Sequence, residues 1–373
     1  MSERLAPGAT VGILGGGQLG RMLAMAAAKL GLRARVFAPE ADSPAFQVSE
    51  NPVCAPFEDI AALRQFAGDC GVVTYEFENV PAHSLAVIEE LRLVCPPRRA
   101  LVSAQDRLAE RRLLQACQMP HADFEFVAEA GALEPAFAAL RGRGHITAYL
   151  KKLRQGYDGK GQVHLKDDED IAAAQDWLGR EAAILEAAVP FLFECSVIAA
   201  RSRHGDIVCY EPARNTHTHG ILSESRVPSG LPERLIADAF AMTRAIMERL
   251  DYVGVIGVEM FAIGGSEPES LVINEIAPRV HNSGHWTLEA CMVSQFENHI
   301  RAVAGWPLGS PERHSDARMV NLIGDEVDNW AALLAEAPRR SLHLYGKAET
   351  RPGRKMGHYC DLTPLNHPPS AES

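Results

Sequence analysis

The hydrophobic pattern of this chain alternates short apolar runs with amphipathic stretches. Residues 10–14, 34–37 and 72–77 are brief runs of aliphatic and β-branched residues that read as buried strands. Residues 18–30 form an Ala- and Met-rich helical segment stopped by Gly31, and residues 81–93 form another with proline at its start. Strand alternating with helix predicts a parallel sheet covered on both faces. Residues 106–118 are again helical and lead into Met119-Pro120. Residues 124–186 read as a smaller unit, in which 146–150 and 162–165 are the arms of a β-hairpin with a long Gly-rich connection. Further strands are expected at 196–200, 207–210, 319–322 and 342–345, with a helix over 232–250. The Pro- and Ser-rich residues 366–373 read as a frayed end. The fold class is α/β combined with α+β.

Two apolar runs break their own rule. Val258-Glu259-Met260-Phe261 and Val272-Ile273-Asn274-Glu275-Ile276 each carry a glutamate where a strand should be buried. Desolvating a lone carboxylate costs several kcal/mol, so each needs a partner. Side by side, the two strands would present Glu259 and Glu275 to one cation. Oxygen ligands in a site shared with phosphates suit magnesium.

Composition narrows the classes. A chain of 373 residues exceeds one ordinary core and implies two or three domains. The net charge of −11 leaves no broad basic footprint for nucleic acid. No 18-residue apolar span suggests a membrane segment, and the N-terminus lacks the pattern of a signal peptide. The eight cysteines show no C-x-x-C spacing and read as reduced thiols of a cytoplasmic protein.

Several motifs then carry chemistry. Gly15-x-Gly17-x-x-Gly20 follows a strand and opens a helix, with Glu40 further on. That spacing fits a dinucleotide site, a ligand-free turn, or one wall of another anion pocket. Residues 151–162 place Lys151, Lys152, Arg154 and Lys160 among three glycines, which suits a phosphate-covering loop or a solvated hairpin. The spacing is not Walker A. Glu186 and Glu194 flank an apolar segment, and a carboxylate on a loop after a strand can accept from ribose hydroxyls. The pairs His217/His219 and His281/His285 lack a third close ligand for zinc. No G-x-S-x-G occurs. Lys347, Arg351, Arg354 and Lys355 sit in a turn constrained by Gly and Pro, as a phosphate clamp or a solvated cluster.

Together these pieces closely resemble the ATP-grasp family, and within it the N5-carboxyaminoimidazole ribonucleotide synthetases of purine biosynthesis. The resemblance rests on residues 15–22, Tyr75-Glu76-Phe77-Glu78-Asn79-Val80, Gln105-Asp106-Arg107, residues 156–162, the run from Asn274 to Trp286, and Gly353-Arg354-Lys355-Met356-Gly357-His358. It spans nearly the whole chain. It implies a Rossmann-like pre-ATP-grasp domain over 1–105, a small lid domain over 106–187, a large grasp domain with the magnesium site over 188–310, and a C-terminal extension over 311–373. The implied reaction is ATP- and bicarbonate-dependent carboxylation of aminoimidazole ribonucleotide through carboxyphosphate. Rival readings are a formate-using glycinamide ribonucleotide transformylase, a biotin carboxylase, a non-catalytic nucleotide-binding regulator and an NAD oxidoreductase.

The resemblance also implies roles residue by residue. ATP would be met by Arg107, Lys151, the flap residues Gly156, Tyr157, Asp158, Gly159, Lys160, Gly161 and Gln162, the adenine-contacting Glu186, Ala187, Ala188 and Val189, the ribose ligand Glu194, and by His217, Asn274 and Glu275. Glu259 and Glu275 would hold two magnesium ions. Lys347 and Arg354 would clamp the ribonucleotide phosphate, with Gly17, Gln18, Leu19 and Glu76 completing that pocket. Arg279, His281, Asn282 and Ser283 would cradle bicarbonate and the mixed anhydride, with Asp158 beside the aminoimidazole. A homodimer is implied too. Residues 211–216 and the stretch 152–155 depart from the family's usual pattern.

Overall fold

The apolar runs near the N-terminus pair as their pattern predicts. In the computed structural model, which describes residues 4–154, 156 and 161–365, β1 (Thr10–Leu14), β2 (Arg33–Ala38), β3 (Val53–Cys54) and β4 (Val72–Tyr75) form a parallel sheet in the order β3-β2-β1-β4. Both faces are covered. Neighbouring Val72 and Val73 enter different core clusters, one shared with Leu23 and Ala27 of the helix Gln18–Lys29 and one with Leu63 and Phe66 of Ile60–Gly68. The helix expected over 81–93 runs only Ala82–Glu89. Beyond it the chain turns to lie along β4, where the Leu93 carbonyl accepts from Val73 N–H at 3.0 Å.

A second sheet forms the smaller unit. β5 (Phe124–Val127), β6 (Ala148–Lys152), β7 (Gln162–Leu165) and β8 (Ala183–Ala187) are antiparallel in the order β5-β8-β6-β7. The expected hairpin is β6–β7, starting two residues late because Ile146, 80% exposed, stays outside the sheet.

The third sheet is the largest among the described residues. β9 (Phe191–Arg201), β10 (Ile207–Cys209), β11 (Ala213–Thr218), β12 (Ile221–Val227), β13 (Gly254–Gly264), β14 (Pro268–Ala277), β15 (Ser315–Ile323), β16 (Ser341–Leu344) and β17 (Lys355–Pro364) join in the order β14-β13-β9-β11-β12-β15-β17-β16, with β10 on β9. The C-terminal segment thus continues this sheet through β12–β15 pairing. The expected tail 366–373 lies outside the described residues.

The N-terminal sheet is fastened to the grasp sheet by a buried histidine. His299 accepts from Val255 N–H through Nδ1 at 3.0 Å, so its Nε2–H faces Thr74 Oγ1 at 2.7 Å. Burial pushes its pKa down to about 3, so it stays neutral. Trp306 Nε1 adds a bond to the Leu5 carbonyl at 2.7 Å. Among the described residues, no helix is long and apolar enough to cross a membrane.

Candidate active site

The two strand glutamates meet as the sequence implies. β13 and β14 are antiparallel, and Glu259 and Glu275 are direct cross-strand partners. A register shift after Glu259 pairs Met260 with Ile273 and leaves Asn274 as the extra residue of a β-bulge. The bulge changes the side-chain alternation of β14. Leu271, Ile273 and Ile276 all enter one hydrophobic cluster, and Glu275 turns to the opposite face beside Glu259. Without the bulge, Ile273 and Glu275 would share a face.

Like charges directly opposite are unfavourable. Burial, and next the facing Glu275, push the Glu259 carboxyl up to about 8. Such a pair fits a divalent cation, which would remove the repulsion. Among the described residues no group of three or more His, Cys, Asp or Glu is arranged to hold a metal ion. The two carboxylates are therefore the protein's offer, and remaining ligands would come from phosphate and water oxygens, as magnesium commonly accepts.

A stability prediction follows from the sign of that shift. Between the ordinary value of 4.5 and about 8, the folded chain keeps a proton on Glu259 that the unfolded chain has lost. Metal-free stability therefore falls as pH rises through this window. Glutamine does not titrate, so Glu259→Gln should melt higher than wild type by a margin larger at pH 8 than at pH 5. Thermal melts in chelator at both pH values check this; an equal margin at both refutes it.

The residues expected to meet phosphate gather next to this pair. Arg107 opens the helix Arg107–Ala116, capped by Asp106, whose side chain accepts from Leu108 N–H and Ala109 N–H at 3.1 Å. Its guanidinium reaches the Gly156 carbonyl at 3.2 Å and Glu275 at 4.0 Å. Lys151 on β6 donates to Glu186 Oε2 at 2.5 Å, and Arg111 donates to Glu186 Oε1 at 2.8 Å. Burial opposes ionisation of Glu186, but these two cations hold its carboxyl far below the usual range. Gly161, at φ +73°, accepts from Lys152 N–H at 2.9 Å and returns the chain to Gln162 at the start of β7. Tyr157, Asp158, Gly159 and Lys160 lie outside the described residues.

Glu186 and Glu194 differ from their expected place on loops. Glu186 lies inside β8 and Glu194 inside β9, because the segment between them is only a short crossing from one sheet to the next. The buried Glu186 side chain faces Lys151 and Arg111, so adenine could meet this segment only through the backbone of residues 186–189 or the side chains of Ala187, Ala188 and Val189. Ala187 N–H is taken by the Asp123 carbonyl at 2.8 Å and Ala188 N–H by Thr147 at 3.0 Å. Glu194 makes a short hydrogen bond to His217 on β11. Burial disfavours charge on that imidazole, but Glu194 and Glu259 outweigh it and raise its pKa.

The anion cradle is smaller than expected. Arg279 follows β14 and pairs closely with Glu78. His281 Nε2 lies 3.4 Å from Glu259 Oε1. Burial, then Arg279 and Lys355, keep this imidazole neutral, with its pKa well below 6.5. Asn282 and Ser283 depart from the expectation. The Asn282 amide exchanges two hydrogen bonds with the Asn321 amide, at 2.7 and 3.0 Å. The Ser283 hydroxyl, fully buried, meets Ser196 Oγ at 2.6 Å and His281 Nδ1 at 2.9 Å. Both side chains face the protein, and Ser283 braces His281. Gln295 completes the brace, accepting from His281 N–H at 2.9 Å and donating to its carbonyl at 2.7 Å.

The glycine-rich turn is occupied by the chain itself. Gly17 N–H donates to Glu76 Oε1 at 2.8 Å, and a Cβ on Gly15, at φ +107°, would lie 2.7 Å from the Glu76 side chain. This carboxylate fills the anion-accepting notch at the helix N-terminus that a cofactor phosphate would need. Burial raises the Glu76 pKa against the pull of Gly17, Arg279 and Lys347. Gln18 is partly exposed, but Leu19 packs in the core and offers a ligand only its backbone. Lys347 Nζ donates to the Lys355 carbonyl at 2.6 Å, and burial with neighbouring Arg354 brings its pKa down to about 8. Arg354 is anchored to the Glu349 carbonyl at 2.8 Å. An arriving phosphate would relieve this crowding of cations.

Glu78, Glu110, Arg111, Gln295 and Asn321 are site-shaping residues that motif reading missed. Only Glu78 carried a signal, as the second carboxylate of Glu76-Phe77-Glu78 immediately after a strand.

Three family models match the chain in succession. The ribonucleotide synthetase preATP-grasp domain matches residues 8–105, the ATP-grasp domain residues 112–296, and the phosphoribosylaminoimidazole carboxylase C-terminal domain residues 317–362. The chain is 46% identical over 362 residues to N5-carboxyaminoimidazole ribonucleotide synthase of Brucella melitensis, covering 96% of this chain and 98% of that one. A solved ADP complex of an N5-carboxyaminoimidazole ribonucleotide synthetase superposes with a TM-score of 0.92 at 38% identity, over 97% of this chain and 94% of that one. The synthase of Aspergillus clavatus in complex with ADP and 5-aminoimidazole ribonucleotide superposes with a TM-score of 0.88 at 30% identity, over 96% and 94%. The fold is thus shared over nearly full length, and the chain belongs to the N5-carboxyaminoimidazole ribonucleotide synthase family of ATP-grasp ligases.

Proposed function

We propose that this chain carboxylates 5-aminoimidazole ribonucleotide with ATP and bicarbonate. Bicarbonate is a poor electrophile; taking the terminal phosphoryl group of ATP makes it carboxyphosphate and releases ADP. The ribonucleotide amine then attacks the activated carbon, or the carbon dioxide carboxyphosphate releases, with loss of phosphate and a proton. Phosphoryl transfer needs positioning and charge stabilisation more than covalent help. Arg107 and Lys151 hold the nucleotide phosphates, while Glu259 and Glu275 would hold two magnesium ions. When bound there, magnesium would supply charge neutralisation for the phosphates. Arg279 and neutral His281 receive bicarbonate, and Glu76, Lys347 and Arg354 receive the ribonucleotide. The flap, residues 156–162, excludes water that would destroy the anhydride. The reading includes a homodimer and a cytoplasmic setting; eight free cysteines, six of them buried, suit a reducing compartment.

The observation that carries this reading is the cross-strand pairing of Glu259 with Glu275. ADP release is the test. It should require ATP, magnesium and bicarbonate and rise sharply with aminoimidazole ribonucleotide. Release driven instead by formate with glycinamide ribonucleotide, or by biotin, would overturn the substrate assignment.

A further inference from the structure

Arg111, which the proposed chemistry leaves without a task, is the centre of a buried ion network behind the nucleotide pocket. It is fully buried, with Glu110 and Glu186 nearly so. Its Nε donates to Glu186 Oε1 at 2.8 Å, its Nη2 to the Asn274 carbonyl at 2.7 Å, and its Nη1 lies 3.4 Å from Glu110 Oε2. Glu110 accepts from Ile276 N–H at 2.7 Å through its other oxygen. Lys151 Nζ takes the second oxygen of Glu186 at 2.5 Å. Two cations therefore face two carboxyl groups, drawn from the helix Arg107–Ala116 and from strands β6 and β8, with the backbone of β14 adding the Asn274 carbonyl and Ile276 N–H.

Stability is a weak reason for such a network, because well-packed apolar residues of similar volume often do as well. The position of Lys151 supplies a better one. In this structure its ammonium rests on Glu186. A nucleotide phosphate arriving there would compete with Glu186 for that ammonium. If Lys151 were the sole partner, the competition would leave the buried Glu186 carboxylate poorly compensated, a cost set against nucleotide binding. Arg111 prevents this. Its planar fork is pinned on the far side by the Asn274 carbonyl, so its charge stays on Glu186 whether or not Lys151 has moved.

We infer that Arg111 is a positioning residue of the nucleotide site: it holds the Glu186 charge so that Lys151 is free to bind phosphate. It touches no substrate itself. The inference rests on the nucleotide role proposed above for Lys151.

The test compares Arg111→Met, Glu186→Gln, the double variant and Lys151→Met. Steady-state KM values for ATP and for the ribonucleotide are measured, with Tm alongside. Arg111→Met should raise the KM for ATP roughly ten-fold or more and leave that for the ribonucleotide nearly unchanged. The double variant should match Glu186→Gln alone in its KM for ATP, because no carboxylate remains to be stranded. That comparison decides the matter even where Arg111→Met fails to fold. A wild-type KM for ATP in folded Arg111→Met overturns the inference, as does a further ten-fold loss in the double variant relative to Glu186→Gln. A parallel rise in both KM values marks a merely structural role and overturns it too. If Lys151→Met leaves the KM for ATP unchanged, the nucleotide reading itself fails, and the inference with it.

Discussion

Glu275→Gln should lower ADP turnover by roughly 10²-fold or more at saturating magnesium. The amide keeps the shape of the side chain and its place at the bulge, so the grasp sheet should stay intact. What it loses is half of the negative charge that two strands bring together. Glu275 also lies 4.0 Å from Arg107, so in the proposed reading one carboxylate would orient both a metal and a phosphate-binding arginine. With glutamine there, the cation loses an anionic ligand and Arg107 loses its anchor in one step. Glu259 would remain, but its pKa would drop once the facing charge is gone, so a single weaker metal position should persist. The variant should therefore need more magnesium for half-maximal activity and still plateau far below wild type. Titrating magnesium against turnover checks both features, and a plateau near the wild-type rate would remove Glu275 from the metal site.

This pair was readable in sequence for a physical reason. Glutamates inside apolar runs are costly enough to demand a partner, and two such runs close together suggest which one. The parallel sheet and the β6–β7 hairpin were readable for a similar reason, since each is written in local periodicity. Contacts between remote segments were not. The β14 bulge shifts one residue without changing composition, so nothing in Ile273-Asn274-Glu275-Ile276 announces it. Glu76 fills the glycine turn from 59 residues away, which the fingerprint spacing alone cannot show. Asn282 and Ser283 looked like ligands because they are polar residues in a specific motif. Their true partners, Asn321 and Ser196, sit on other strands of the sheet. Arg111 was hidden for the opposite reason: one arginine in a charged helix looks solvated until burial is known.

Arg279→Met should cut ribonucleotide carboxylation by roughly 10²-fold or more while slowing ADP formation less. Arg279 stands where the N-terminal sheet meets the grasp sheet, paired with Glu78 and electrostatically coupled to Glu76 and Glu275. Glu78 is itself held in place, since Gln105 Nε2 donates to the carbonyls of Glu78 and Val80, both at 2.7 Å. The guanidinium is thus pre-set before any anion arrives, and a fixed donor stabilises developing charge without reorganising. Methionine fills the volume but leaves Glu76, Glu78, Glu259 and Glu275 facing an anionic intermediate with one fewer cation among them. Carboxyphosphate formed in that field would be held poorly and lost to water. The ratio of ADP released to ribonucleotide carboxylated should therefore rise well above the wild-type value. Arg279→Lys should recover part of the rate, because it restores the charge, but little of the coupling, because an ammonium cannot hold Glu78 and an anion in one plane. Measuring ADP and carboxylated product in the same reaction separates the two effects. Loss of both in equal proportion would assign Arg279 to the phosphoryl-transfer step and remove it from the anhydride site.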